Sequence, residues 1–135
     1  MRGLSRAALS ARILWEIARY ELVFAAQGFE GVQLGLRRLV SPRERDTALE
    51  AAICRAFDTV SSFYWKQMVC LQRSVITARV MHSYGIPADV VIGYRFAPFV
   101  GHAWVEIKGI VVNDSSGYAE KLQVLERIGP AASEA

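Results

Sequence analysis

A thiol, an imidazole and a carboxylate follow one another along this chain in an order that suits nucleophilic catalysis. Cys70 comes after Trp65-Lys66-Gln67-Met68-Val69 and opens a segment with helical spacing. His102 lies in the run Gly101-His102-Ala103-Trp104-Val105-Glu106, and Asp114 in Val112-Asn113-Asp114. A helix N-terminus carries about half a positive charge and N–H groups with no acceptor inside the helix. A thiol placed there ionises more readily to the nucleophilic thiolate. The same N–H groups can hold a developing oxyanion. An imidazole then takes the thiol proton, and a carboxylate fixes the ring and balances the imidazolium. The chemistry is acyl transfer through a thioester, ending in hydrolysis with water or in an amide with an amine.

The other candidates fall away on spacing. His82 stands twelve residues after Cys70 on the same helix, roughly 18 Å along its axis. It reads as a helix-end histidine meeting the last carbonyls, which leaves His102 as the base. Cys54 sits mid-helix beside an apolar stripe and reads as core. No CxxC, HExxH or glycine-rich phosphate loop is present, so neither a metal nor a cofactor is expected. The orienter depends on a hairpin. A three-residue loop, Ile107-Lys108-Gly109, with Gly109 left-handed pairs Glu106 with Ile110, Trp104 with Val112 and His102 with Asp114. Asn113 is the rival and points to the other face in that register. A two-residue loop would put His102 and Asp114 on opposite faces. The Cys70 backbone N–H is one expected oxyanion donor. Gln67 or Trp65 is the second, and spacing does not choose. Trp104 alternates in phase with His102 and either walls a cleft or fills the core.

These residues need elements to carry them. Residues 4–26 have helical spacing with an apolar stripe Leu4, Ala8, Ala11, Trp15, Ala18, Leu22 and a wet face bearing Arg12 and Glu16. Gly28 and Gly31 break it before a short helical piece, Val32 to Val40. Ser41-Pro42-Arg43-Glu44 has the signature of a helix start. The helix that it opens carries Leu49, Ile53, Phe57, Val60 and Tyr64 on one face and ends near Ser61-Ser62. A helix from Cys70 to about Tyr84 stops at Gly85 and Pro87. Strands follow at 89–96, 102–107 and 110–114, with a turn at Ser115-Ser116-Gly117. Tyr118 to Ile128 suits helix or strand, and 129–135 reads as a loose tail. Helices first and a small antiparallel sheet second is an α+β layout in a single domain, 1–135: a helical N-terminal region over 1–64, a catalytic core over 65–128 and the tail.

Composition sets the outer bounds. The chain has 135 residues, 53% of them hydrophobic and 21% charged, enough for one folded core. Charges at Arg12, Glu16, Arg19 and Glu21 interrupt the N-terminal apolar region, so neither a membrane span nor a signal peptide is expected. Cytoplasm is the default compartment. Two cysteines make no disulfide framework. The net charge is +3. The arginines cluster at Arg37, Arg38, Arg43 and Arg45 without interleaved aromatics, which points away from nucleic acid.

Four segments together carry a resemblance. Cys70-Leu71-Gln72-Arg73-Ser74, Gly85-Ile86-Pro87-Ala88-Asp89-Val90-Val91-Ile92-Gly93, His102-Ala103-Trp104-Val105-Glu106 and Val111-Val112-Asn113-Asp114 resemble the lasso-peptide B2 proteins. These are leader peptidases with a papain-like, transglutaminase-like core. The resemblance is dense from about Trp65 to Asp114 and looser over the flanking segments. It implies a cysteine peptidase that cuts a ribosomally made precursor between leader and core. Cys70 is then nucleophile, His102 base and Asp114 orienter. It further implies a separate B1 protein that delivers the leader, because the residues before Trp65 read as helices and not as a leader-recognition module. An ATP-dependent cyclase would take the freed amine. A transglutaminase-like acyltransferase and a non-catalytic peptide-binding module of the same fold are the alternatives.

Overall fold

The computed structural model describes residues 5–37, 46–63, 69–96, 99–112 and 121–130. Their order is α1 (Arg6–Leu36), α2 (Thr47–Ser62), α3 (Cys70–Ser83), β1 (Asp89–Arg95), β2 (Val100–Ile107), β3 (Ile110–Val111) and β4 (Gln123–Ile128). The strands form one antiparallel sheet in the order β3-β2-β1-β4. Helices followed by a small antiparallel sheet is the α+β arrangement expected. Among the described residues no helix is long and apolar enough to cross a membrane.

α3 is the centre of the packing. It lies against α1, α2, β1 and β2. Gln72 and every residue from Ser74 to His82 are buried. A helix sunk this deeply must find partners for its polar side chains. Arg79 Nε donates to Glu16 Oε1 at 2.7 Å and its Nη1 to the Gly35 carbonyl at 2.7 Å. Gln72 donates to Glu21 at 3.1 Å. His82 Nε2 lies 2.8 Å from the Ala88 carbonyl, so it ties the helix end to the start of β1 and not to the helix's own last carbonyls. The helix stops as expected. Gly85 has φ 82°, its N–H donates to the His82 carbonyl, and the Ile86 N–H donates to the Met81 carbonyl.

The first helix breaks where expected but turns a different face inward. Gly28, at φ 68° and ψ −158°, kinks α1 between its two segments. The buried stripe is Leu9, Ile13, Ile17 and Tyr20, whereas Trp15 and Leu22 are exposed. Glu16 lies on the inward side because it meets Arg79, and Arg12 caps the pair from the rim at 3.1 Å. α2 begins at Asp46, whose extended backbone excludes a helix running through it from Ser41 and whose side chain accepts from the Leu49 N–H at 3.0 Å. Residues 38–45 lie outside the described residues. The inward face of α2, Leu49, Ile53 and Phe57, is the one expected.

The sheet sorts its side chains by strand alternation. On β2, Val105 and Ile107 join the helical core, with Val90 on β1 and Ile128 on β4. On the alternate face Trp104 packs with Val91 and Leu122. The stretch 118–128, ambiguous in sequence, holds a strand at Gln123–Ile128, pinned to α1 by Gln33 and Arg37 on Glu126. Its register slips between Ile92 and Gly93, a bulge that drops Leu125 out of the ladder. The expected loose tail is not loose at its start: Gly129 and Pro130 are buried, with Gly129 against Asp89.

Removing one member of a buried pair leaves the other charge uncompensated. Glu16→Ala should lower unfolding free energy by about 3–5 kcal/mol in urea titration. A loss below about 1 kcal/mol, the scale of a surface pair, would show that Arg79 does not depend on it.

Candidate active site

Cys70 is the first residue of α3, and the two other helices show what is special about its position. Ser5 caps α1 by accepting from the Ala8 N–H at 2.9 Å, and Asp46 caps α2 in the same way. Val69 caps α3 with no side-chain hydrogen bond. The first bond within α3 is Arg73 N–H to the Val69 carbonyl, 3.0 Å. The N–H groups of Cys70, Leu71 and Gln72 therefore precede the helix's own ladder. The Cys70 thiol is half-buried at this end.

His102 stands near the start of β2, opposite Gly93 of β1. It shares the alternate face with Trp104 and Glu106, while α3 packs with the face of Val105 and Ile107. The His102 and Trp104 rings stack, with centroids 6.0 Å apart and planes at 26°. Trp104 is buried in the second core cluster and stacks on the His102 ring. Its Nε1–H donates to Glu106 Oε2 at 2.8 Å, and Glu106 Oε1 accepts from Arg127 Nη1 on β4. Glu106 and Arg127 were not among the residues expected at the site. Glu106 could have been found from its alternation with Trp104. Arg127 could not, because nothing in the sequence fixes β4 beside β1.

The hairpin does not close as expected. Lys108 and Gly109 both have positive φ, 52° and 83°. They form a two-residue turn of the type that matches strand twist. Ile107 pairs with Ile110 and Glu106 with Val111. The Val112 N–H donates to the Val105 carbonyl at 3.0 Å, which holds the same phase. The three-residue loop with its Gly109 bulge is thus absent, because Lys108 accepts the left-handed conformation at an exposed tip. Asn113, Asp114, Gln67 and Trp65 lie outside the described residues.

Cys54 behaves as packing. Its Sγ donates to the Val112 carbonyl at 3.6 Å. Burial pushes its pKa up to about 11, with Asp58 and Glu50 adding to the rise and Arg55 opposing it. A cavity of about 170 Å³ lies beside it, lined by Cys54, Phe57, Asp58, Arg73, Thr77 and Val112, one turn along α3 from Cys70. A larger cavity, about 380 Å³ between α1 and α2, includes none of the expected site residues.

Sequence comparison agrees with this architecture. The family described as the transglutaminase-like superfamily matches residues 14–127, most of the chain. The chain belongs to the transglutaminase-like superfamily. Over 59 residues it is also 42% identical to the Microcin J25-processing protein McjB of Escherichia coli. That stretch covers 44% of this chain but 28% of the relative, so this chain spans only a fraction of that protein. No solved structure matches. Like the fold, the family is shared by hydrolysing and acyl-transferring enzymes, so the activity has to be argued from the site.

A thiol with its pKa near 11 is only about a thousandth thiolate at pH 8. Iodoacetamide at that pH should therefore alkylate Cys70 in the folded protein and leave Cys54 intact, with Cys54 labelling rising only as pH approaches 11. Peptide mapping that finds Cys54 modified first would contradict the assignment.

Proposed function

We propose that this protein is a cysteine peptidase that removes the leader from a ribosomally made lasso-peptide precursor. The observation that carries the reading is the start of α3: a thiol at the one described helix whose cap supplies no side-chain acceptor. Its first-turn N–H groups are left for a substrate oxygen. The superfamily and the partial likeness to a microcin-processing protein support this choice of substrate class.

In this reading the Cys70 thiolate attacks the carbonyl at the junction of leader and core. His102 takes the thiol proton and returns it to the departing core amine. The reading requires that the Cys70 thiol and the His102 ring come within hydrogen-bond reach of each other. The Cys70 N–H holds the oxyanion, with Gln67 or Trp65 as second donor. Water then hydrolyses the thioester. The freed amine is the nucleophile that a separate cyclase needs, and a B1 protein presents the leader. The reaction takes place in the cytoplasm, where thiols stay reduced. Asp114 orients His102 by its place in the motif order. The two-residue turn favours Asn113 as a second reading. A ladder carried on in the observed phase puts position 113 opposite Trp104 and position 115 opposite His102, so Asp114 reaches the ring only if the chain leaves that phase after Val112.

Cys70→Ala should abolish leader cleavage, and Cys54→Ala should leave it near wild type, as read by mass spectrometry of the precursor. A product carrying an amide adduct in place of a leader carboxylate would make the protein an acyltransferase instead. Asp114→Asn should cost on the order of 10²-fold in single-turnover rate, and Asn113→Ala much less. The reverse pattern would make the triad Cys-His-Asn. Adding B1 should accelerate cleavage, and full turnover unchanged by B1 would remove it from the account.

A further inference from the structure

The face of β2 that bears His102 holds an arrangement that the nucleophile and base do not by themselves require. The Trp104 indole is fixed at both ends. At its nitrogen, Nε1–H donates to Glu106, which Arg127 holds from β4. At its far edge the ring lies over Gly93, the residue paired with His102 on β1. A Cβ at position 93 would come within 2.7 Å of Trp104 Cη2, 2.9 Å of Cζ3 and 3.1 Å of the Gln123 carbonyl oxygen. Any side chain there must move the indole or β4. Gly93 does not have a positive φ, so the glycine serves ring clearance and not backbone conformation. The indole thus has one place, and the imidazole stacks on it at 6.0 Å.

We propose that Trp104 is the positioning residue for His102: the indole, held by Glu106 and Arg127 at its nitrogen and seated over Gly93, fixes the plane of the imidazole that serves Cys70. The proposal rests on the reading of His102 as base. A stacked aromatic pair biases a ring between orientations by roughly 2- to 12-fold. A base held off its productive geometry loses rate steeply, because near-attack positioning carries much of the barrier reduction. The effect falls on the chemical step and not on binding of the precursor.

The test reads His102 directly. With only two histidines in the chain, the ring C–H signals of His102 are assigned by their disappearance in His102→Gln. Kinetics are measured with the full chain, precursor and B1. In the native protein the His102 signals should carry a ring-current displacement from the indole. Trp104→Leu, and Gly93→Ala by crowding the Cη2–Cζ3 edge of the ring, should each remove that displacement. Each should lower kcat on the order of 10-fold with KM for the precursor unchanged. Trp104→Phe, which keeps a ring to stack on, should recover most of both. Should Trp104→Leu not fold, Gly93→Ala, which leaves the indole in the core, decides the matter. A folded variant that loses the displacement yet keeps kcat overturns the proposal, and so do His102 signals that ignore Trp104. An active His102→Gln variant overturns it too, by removing the base assignment, whereas an inactive one confines either of the other failures to the positioning role of Trp104.

Discussion

α3 is buried almost from end to end, and it is not an apolar helix. Gln72, Ser74, Thr77, Arg79 and His82 all lie inside. An unpaired polar group in the interior costs more than most single packing contacts return. The neighbouring elements are therefore arranged as answers to this helix. α1 turns Glu16 inward to meet Arg79 and offers Glu21 to Gln72. The residues leading into β1 offer the Ala88 carbonyl to His82. The kink at Gly28 lets the second segment of α1 fold back so that the Gly35 carbonyl also reaches Arg79. Replacing that network with a hydrocarbon core is conceivable on energetic grounds. What the polar version adds is a single relative placement of α1 and α3, each bond having one geometry.

That rigidity gives the N-terminal end of α3 its value. A helix clamped along its length presents its first turn at a fixed point, and the Val69 cap puts no side-chain acceptor on that turn's N–H groups. The opposing side of the proposed site is held by a different device. There the sheet fixes an imidazole through an indole, a carboxylate and a guanidinium drawn from β2 and β4. Both devices put the reacting groups on regular elements supported by buried hydrogen bonds, which is what sub-ångström positioning demands.

How much of this was legible in the sequence followed from the range of the interactions. Local signals were read correctly. Gly85 and Pro87 marked the end of α3, the stripe Leu49-Ile53-Phe57 marked the inner face of α2, and the β-branched run from Asp89 marked β1. The inward face of α1 was misjudged because two stripes compete there. The one with Leu9, Ile13 and Ile17 won by bringing Glu16 to Arg79, a partner 63 residues away. The Asp46 cap was overshadowed by a stronger-looking signal at Ser41, since a capping motif shows where a helix can start and not where it does. The hairpin register turned on whether Lys108 would take a left-handed conformation, which an exposed position permits and sequence alone does not announce. Gly93 resembled an ordinary strand glycine. Its role appears only when Trp104 from the next strand lies across it.

The central claim is that cleavage passes through a thioester on Cys70, and a nucleophile-partitioning experiment tests it most directly. Precursor is cleaved in the presence of increasing hydroxylamine, and the leader's new C-terminus is read by mass spectrometry. A thioester intermediate partitions between water and hydroxylamine. The account predicts a leader hydroxamate that grows with hydroxylamine concentration and is absent with Cys70→Ala. A leader ending only in a free carboxylate at every concentration, or a hydroxamate still formed without Cys70, would contradict it.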